Sequence, residues 1–295
     1  MYRRDEDEIY KPLKGVLHRE EEYHEVAFEV LARMQKEHFW YQGRHAFLLA
    51  ALRRLLAGPS RPRAIDLGGG CGGWLAYLNE HEPARFAELA LGDSSLEALQ
   101  RARSLLLPHH ELYQIDLLHL NWSERWDCIF LLDVLEHIPQ DQQVLQQIWQ
   151  ALRPGGLLFV TTPALKFFWS QNDSIVGHQT RYSRTDFKRM ARACGFQAVL
   201  LRYFMFFLSP LYLVSRLLEN RRARPQTSAE VAAYLDRTHR VPARPLNQIL
   251  AAIFGAEARV GLDWPFPWGT SLLGVLQKPD QSSRPSGSGP NRTRS

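Results

Sequence analysis

The residues with the clearest chemical role lie in the segment 64–74, which reads AIDLGGGCGGW. Asp66 ends a short apolar run there, and Gly68, Gly70 and Gly72 follow at alternate positions. Glycines let the backbone turn sharply and approach a ligand closely, while the first N–H groups of a following helix point toward that ligand. The spacing therefore predicts a ligand-binding loop between a strand and a helix.

The glycine spacing fits two classes of nucleotide cofactor. Gly68, Gly70 and Gly73 match GxGxxG, which by itself is a weak dinucleotide signal. Asp66 argues against a dinucleotide, because its carboxylate would repel a pyrophosphate and would suit a cation such as the amino group or sulfonium of S-adenosylmethionine. Asp93, expected at the end of the second strand, fits a carboxylate that accepts hydrogen bonds from ribose hydroxyls in either class.

The elements that must position these residues follow a regular alternation. Short apolar runs predict strands, and the segments between most of them have helical periodicity. The predicted strands are 63–67, 88–91, 111–115, 126–132, 157–161, 198–203 and 271–277. Alternation with short connections predicts an α/β fold with a doubly wound, mostly parallel sheet. The predicted organisation is a helical cap at 1–60, the α/β core at 61–203, a helical insertion at 204–268, the last strand at 269–279 and a disordered tail at 280–295.

Length and composition exclude several other classes of protein. The chain has 295 residues, 45% hydrophobic and 23% charged, which is typical of a globular protein of one large domain or two small ones. Its three cysteines are scattered without CxxC, so neither a disulfide scaffold nor a zinc ribbon is expected. No signal-peptide pattern is present, and the longest apolar run, 203–218, is shorter than the ~20 residues that span a bilayer. We therefore predict a soluble, cytoplasmic protein.

Taken in order, the motifs resemble those of class I S-adenosylmethionine-dependent methyltransferases over about residues 35–278. After the glycine loop and the acidic strand end come Asp116 in QIDL, then DCIFLLDVLEH at 127–137 and LRPGGL at 152–157. The resemblance implies a seven-stranded Rossmann-like sheet with an antiparallel last strand, and S-adenosyl-L-methionine as the cofactor. It also implies that Asp116 accepts a hydrogen bond from the adenine amino group and that Leu132 lies beside the cofactor.

Three further stretches resemble bacterial methyltransferases of the ubiquinone-biosynthesis-like group. They are HFW ahead of Arg44, GHQTRYS at 177–183 and WPFPWG at 264–269. In quinone O-methyltransferases a comparable arginine binds the methionine carboxylate, so the resemblance makes Arg44 the candidate for that role. The alternative is an ordinary arginine on a helix surface.

Two histidines are the candidate catalytic residues. Transfer to an oxygen acceptor requires removal of a proton, for which histidine is the usual base. His137 follows the fourth core strand, where the acceptor pocket is expected to open, and His178 lies in the loop after the fifth. Alternatively, His137 only begins a helix and His178 only binds loop backbone. Asp133, Glu136 and His137 also resemble a magnesium-binding pattern of some quinone and RNA methyltransferases, but Asp replaces the usual first Glu, and we predict no metal.

These observations predict a methyltransferase that acts on a small-molecule or lipid-linked acceptor by O-methylation. One alternative is a cofactor-binding scaffold without catalysis, and a second, with less support, is a nicotinamide-dependent oxidoreductase. A nucleic-acid acceptor is not expected, because Asp133-Val134-Leu135 stands after Leu132 in place of the Asn/Asp-Pro-Pro-Tyr motif that methylates exocyclic amines.

The start of the insertion predicts a contact with a membrane surface. Residues 204–214 are largely apolar, and the sequence then turns basic, with Arg216, Arg221, Arg222 and Arg224. An apolar stretch too short to span a bilayer, followed by arginines, fits the lipid headgroup region. This predicts peripheral contact with the inner face of the membrane through 204–224. The alternative is the apolar underside of a lid over a soluble pocket.

Overall fold

The computed structural model describes residues 2–16, 25–58, 60–220, 225 and 227–280. Strands are formed by β1 (Tyr2–Arg4), β2 (Ile9–Pro12), β3 (Arg63–Leu67), β4 (Glu88–Asp93), β5 (Glu111–Gln114), β6 (Trp126–Leu132), β7 (Leu152–Pro163), β8 (Gln197–Phe204) and β9 (Ser271–Gln277). They make one sheet in the order β1-β2-β5-β4-β3-β6-β7-β9-β8. The expected tail from residue 281 onward, and Arg221, Arg222 and Arg224, lie outside the described residues.

Strands β3 to β9 form the doubly wound sheet that the sequence predicts. The neighbours from β5 to β7 are paired in parallel, whereas β9 lies antiparallel between β7 and β8. Alternate residues of β6 enter different cores: Phe130 packs on one face of the sheet, and Ile129 and Leu131 pack on the other. Both faces are covered, as expected for parallel strands made of continuous apolar residues.

The expected strand count of seven is wrong, because two N-terminal strands join the sheet, and the predicted helical cap at 1–60 holds a hairpin ahead of its helices. Here β1 and β2 pair as a hairpin, and β2 runs parallel to β5 at the edge of the sheet. Ile9 is buried, the ring of Tyr10 stacks on Tyr113 at 4.8 Å, and the hydroxyl of Tyr2 donates to the carbonyl of Leu120 at 3.0 Å. The hairpin covers an edge strand that would otherwise expose its backbone polar groups, and no local periodicity in so short a charged segment reveals that pairing.

The helices are α1 (Glu25–Glu37), α2 (Phe39–Leu55), α3 (Gly73–His81), α4 (Leu96–Leu105), α5 (Asp141–Ala151), α6 (Gln171–Ile175), α7 (Arg184–Ala193), α8 (Ser209–Asn220), α9 (Ser228–Thr238) and α10 (Arg244–Val260). Short 3₁₀ turns lie at Leu135–His137 and Lys166–Phe168. None of the described helices has the length and apolar character needed to cross a bilayer.

The insertion between β8 and β9 is helical and is packed against the core. The face of α10 that carries Leu250 and Phe254 lies on α2, where Gly43 leaves room for the Phe254 ring: a Cβ on Gly43 would lie 2.1 Å from it. Asn247 joins the two helices, because its side chain accepts from the backbone N–H of Phe39 at 2.9 Å and donates to the carbonyl of Glu37 at 2.8 Å. The insertion is thereby held beside the edge of the sheet where the strands end.

Candidate functional site

The glycine loop connects β3 to α3 in a conformation that requires glycine. Gly68, Gly70 and Gly72 have φ of 71°, 57° and 80°, in the left-handed region that residues with a Cβ rarely adopt. Gly72 is the N-cap of α3, so the loop leads directly into the helix N-terminus. This is the strand–loop–helix arrangement that the alternating glycines predict.

Two carboxylates lie on either side of this loop. Asp93, at the end of β4, accepts hydrogen bonds from the backbone N–H groups of Gly70 at 2.8 Å and Ser95 at 2.9 Å. Asp66 is buried in β3, and its Oδ1 has no hydrogen-bond partner among the described residues. Burial raises the pKa of Asp66 to about 8, although the nearby charge of Arg44 acts in the opposite direction. A buried carboxyl with one oxygen left without a partner is suited to a cationic group.

A cavity of about 630 Å³ opens at the edge where the core strands end, a size typical of ligand sites. The residues expected from the sequence that line it are Arg44, Asp66, Gly68, Gly70, Asp93, Asp116, Leu132, His137 and His178. Gly72 does not line it, and its part is to begin α3. The insertion closes another side with residues that include Met205, Leu208 and Tyr212.

Arg44 is a buried residue of the cavity wall, so the interpretation as a surface arginine is wrong. It is 4% exposed, and its Nη1 donates to the carboxylate of Asp133. The guanidinium also lies 5.1 Å from the Trp40 ring centroid and 4.8 Å from that of Tyr41. Its Nε has no partner among the described residues, which leaves a donor for a ligand.

Asp116 and Leu132 stand at other points of the same cavity. The carboxylate of Asp116 accepts from the backbone N–H of Leu118 at 2.9 Å and contacts Nδ1 of His119 at 2.7 Å. Leu132 is almost fully buried at the end of β6. The next residue, Asp133, has φ of 58°, an uncommon value for a residue with a Cβ and one that is found at functional sites.

His178 forms a dyad with a buried aspartate. Its Nδ1 lies 2.8 Å from Oδ1 of Asp173, which also accepts from Nε of Arg181 at 2.7 Å. Burial alone would raise the pKa of Asp173, but the hydrogen bonds from His178 and Arg181 outweigh it and hold that pKa below its usual range. The partner of His178 is thus an aspartate that stays ionised, and the imidazole is oriented through Nδ1.

His137 lies against this dyad. Its ring centroid is 4.8 Å from that of His178. Burial lowers the pKa of His137 to about 4, and the neighbouring His178 acts in the same direction. His137 is therefore neutral at pH 7. The sequence alone did not indicate whether this side chain is buried.

Glu136 is a residue of the site that the sequence analysis named only as part of the magnesium-like pattern. It is fully buried, and neither carboxylate oxygen has a partner among the described residues. Burial raises its pKa well above the usual range, and Asp133 adds to that effect.

Ligand atoms of Glu136, His137 and His178 lie within 4.8 Å of one another. Asp133, the first residue of the pattern, is paired with Arg44. Two imidazoles and a carboxylate form a donor set that suits a transition-metal ion better than magnesium.

Comparison with known proteins decides the family. A family model described as a methyltransferase domain matches residues 39–201, more than half of the chain. The chain belongs to this methyltransferase family. The motifs that predict a class I S-adenosylmethionine-dependent enzyme lie within the matched segment. S-adenosylmethionine is the cofactor that we propose for this chain.

Curated relatives of the methyltransferase resemble it over short segments. A trans-aconitate 2-methyltransferase from Deinococcus radiodurans is 36% identical over 108 residues, which cover 36% of this chain and 40% of the relative. A tRNA 5-carboxymethoxyuridine methyltransferase from Escherichia coli K12 is 31% identical over 126 residues, or 40% of this chain and 47% of the relative. The chain thus spans less than half the length of each of these relatives.

A solved structure shares the fold of the methyltransferase along most of the chain. The S-adenosylmethionine-dependent methyltransferase from Thermotoga maritima superposes with a TM-score of 0.51 at 12% identity, covering 86% of this chain and 98% of that one. At this identity the similarity concerns the fold alone.

The cavity fits the cofactor in its own right. The positive φ values of Gly68 and Gly70 allow close backbone approach, and the carboxyl of Asp66, whose Oδ1 has no partner among the described residues, matches a cationic group. Asp93 lines the same cavity with a carboxylate that can accept from hydroxyls. We assign these residues to cofactor binding as a proposal, together with Arg44, Asp116 and Leu132.

Proposed function

We propose that the enzyme methylates an oxygen of a small-molecule or lipid-linked acceptor and that His178 removes the acceptor's proton. The observation that carries this proposal is the Asp173–His178 dyad in the wall of the cavity that the cofactor loop also lines. With Nδ1 engaged by Asp173, the ring nitrogen left to accept a proton is Nε2. A base oriented by a carboxylate in this way is a common arrangement in general-base catalysis.

In this reaction S-adenosylmethionine, when bound, supplies an electrophilic methyl group on a sulfonium. The chain's own residues hold the acceptor and move its proton. Holding two reactants in line removes much of the entropic barrier to the displacement. His178 takes the proton of the acceptor hydroxyl at Nε2, and ionised Asp173 stabilises the imidazolium that results. His137, neutral and adjacent, is placed to orient the same hydroxyl by a hydrogen bond.

Helix α8 supports an acceptor with an apolar portion. Leu211 and Tyr212 of α8 line the cavity. Leu211, Val214 and Leu218 recur at helical spacing on α8 and are 54–56% exposed. An aromatic cluster of Phe206, Phe266 and Trp268 beside the start of α8 extends this surface. The exposed Trp268 lies 4.9 Å from Phe206 and donates to Ser209 at 3.2 Å. We propose that this surface rests on a membrane and brings a lipid-linked acceptor to the cavity.

The names of the curated relatives bear on the acceptor in opposite ways. One relative is named for trans-aconitate, a small organic acid, and another for a modified tRNA nucleoside. Both names describe acceptors that carry carboxylates. The small-molecule name agrees with our proposal, and the tRNA name does not support the expectation that nucleic acid is excluded, which stays a prediction.

A transfer assay with separate acceptor pools tests the proposal. The enzyme is incubated with S-adenosylmethionine carrying a labelled methyl group and, in parallel, with a soluble metabolite extract, a membrane-lipid extract and total RNA. The proposal is supported if the labelled product is found in the soluble or lipid fraction and its labelled methyl group is bonded to oxygen. Label found in RNA alone, or on nitrogen or carbon, would overturn it. Asp93→Ala, which we expect to weaken cofactor binding, serves as the background control.

A further inference from the structure

The cavity is divided electrostatically between the core and the insertion. Its acidic residues come from the ends of the core strands and the turns that follow them: Asp66, Asp93, Asp116, Asp133 and Glu136. The insertion contributes two arginines to the lining, Arg216 of α8 and Arg240, which follows α9, together with the imidazole of His239. Every ionisable acid in the wall thus belongs to the core side, as far as the described residues show.

Arg216 and Arg240 differ from the other arginines of the cavity. Arg44 is paired with Asp133, and Arg181 is paired with Asp173 at 2.7 Å. Within the described part of the chain, neither Arg216 nor Arg240 has a carboxylate within ion-pair distance. These two arginines therefore bring uncompensated positive charge to a cavity wall, where a ligand anion can reach it.

The position of Arg216 is fixed by its neighbours. Its guanidinium lies 4.9 Å from the centroid of the Tyr212 ring, and the hydroxyl of Tyr212 accepts from Nη2 of Arg181 at 3.0 Å. The Nε of Arg216 is buried and has no hydrogen-bond partner among the described residues. A buried donor of this kind carries a desolvation cost unless a ligand completes it. Tyr212 thereby links Arg216 to Arg181, which donates to Asp173 of the dyad.

We infer that Arg216 and Arg240 bind an anionic oxygen group of the acceptor, a phosphate or a carboxylate. This inference rests on the proposed function, because it concerns the same acceptor. The anionic group is a second part of that acceptor, distinct from the hydroxyl that the dyad deprotonates. The guanidinium fork presents paired donors that match phosphate and carboxylate oxygens. The two arginines line the wall that the insertion contributes, so the acceptor is bound with its anionic group toward the insertion and its reacting hydroxyl toward His178.

Anion binding is tested without turnover, on the full-length protein loaded with S-adenosylhomocysteine. Calorimetric titrations at low salt use inorganic pyrophosphate and, separately, citrate as probes. We expect Arg216→Gln and Arg240→Gln each to weaken binding of at least one probe by roughly tenfold, the loss associated with a hydrogen bond to a charged group. Arg259→Gln removes an exposed arginine of α10 that does not line the cavity and is the matched control. Affinity for S-adenosylhomocysteine should be the same in all four proteins.

The outcomes separate this inference from the proposed function. Equal probe affinity in wild type and in Arg216→Gln and Arg240→Gln, or an equal loss in Arg259→Gln, would overturn the anion site. Intact anion binding with no transfer to any oxygen acceptor would overturn the proposed function alone. Competition of vesicles containing phosphatidic acid with the soluble probe, lost in Arg216→Gln, would show that the site also accepts a lipid-borne phosphate. Binding of soluble pyrophosphate without such competition would assign the site to a free anionic acceptor.

Discussion

The guanidinium of Arg44 donates to the carboxylate of Asp133, and this pair joins the middle of α2 to the residue that follows β6. The two residues are 89 positions apart in the chain. Asp133 has a positive φ, and Arg44 is almost completely buried. The pair therefore holds an uncommon backbone conformation at the cavity and keeps Nε of Arg44 available to a ligand.

The first prediction uses this pair to separate stability from cofactor binding. Arg44→Gln leaves Asp133 without its partner, and breaking one side of such a pair is expected to cost about 3–5 kcal/mol of unfolding free energy. The double variant Arg44→Gln/Asp133→Asn should recover much of that stability but not the affinity for S-adenosylmethionine. Denaturant melts and calorimetric titration measure the two quantities. Recovery of cofactor affinity in the double variant would limit Arg44 to a structural role.

The second prediction concerns Asp93. Asp93→Ala removes a carboxylate proposed to accept from the ribose, and a hydrogen bond to a charged group contributes about 1.5–3 kcal/mol. We expect a roughly ten- to hundredfold rise in the Kd for S-adenosylmethionine. Because Asp93 also accepts from Gly70 and Ser95, part of the loss will come from a less ordered loop. Asp236→Ala, at an exposed position of α9, is the control, and an unchanged Kd in folded Asp93→Ala would refute the assignment.

The third prediction is a pH dependence of cofactor binding through Asp66. Burial raises the pKa of Asp66 to about 8 in the free protein, so the carboxyl is protonated at neutral pH. A cationic ligand favours the carboxylate, and binding must then release a proton below that pKa. Affinity should therefore fall as the pH is lowered, by about tenfold or more between about pH 8 and pH 6. Asp66→Asn should bind more weakly and show a flat profile, and an equally steep profile in this variant would exclude Asp66 as the titrating group.

The same raised pKa has a consequence for stability. Between the unfolded value near 3.8 and about 8, folded Asp66 holds a proton that the unfolded chain has lost. The contribution of this group to stability is complete below the unfolded pKa and is lost as the pH rises through the folded one. Asp66→Asn should therefore lose less stability than wild type between acidic and mildly alkaline pH.

The fourth prediction concerns the base. His178→Ala should lower turnover on the true acceptor by about 10²–10⁴-fold while the Kd for S-adenosylmethionine is unchanged. His137→Ala should have a smaller effect if it only orients the hydroxyl. His109→Ala, a histidine on an exposed turn, is the control. Full activity in both His137→Ala and His178→Ala would mean that positioning alone drives transfer, or that the methylated atom needs no base.

The fifth prediction concerns the exposed face of α8. The triple variant Leu211→Ser/Val214→Ser/Leu218→Ser should abolish co-sedimentation with anionic vesicles, because it removes the apolar side chains that enter the headgroup region. The double variant Leu105→Ser/Leu107→Ser changes two equally exposed leucines elsewhere and should bind as wild type does. Circular dichroism confirms folding of each. Absence of wild-type binding to anionic and neutral vesicles alike would leave α8 only as a wall of the cavity.

The positions of the core strands along the chain and the turn conformation of the glycine loop could be predicted from the sequence. The positive φ at Gly68 and Gly70 is a local requirement of the backbone, and glycine is the residue type that meets it, so the sequence alone indicates it. The alternation of apolar runs and helical patterns is also local, which is why β3 to β9 were expected nearly where they lie. The hairpin of β1 and β2 was missed, because its stability comes from Tyr113 and other residues far away in the chain.

The sequence by itself thus determined the class of fold, the family and the residues on one edge of the sheet, since short-range backbone geometry and motif order carry that information. Only the tertiary structure decided which side chains pair there: Arg44 with Asp133, and His178 with Asp173. It also decided that Arg216 stands without a carboxylate among the described residues. Pairing and burial depend on contacts between segments distant in the chain, and the free energy of a buried charge is set by whatever surrounds it in three dimensions.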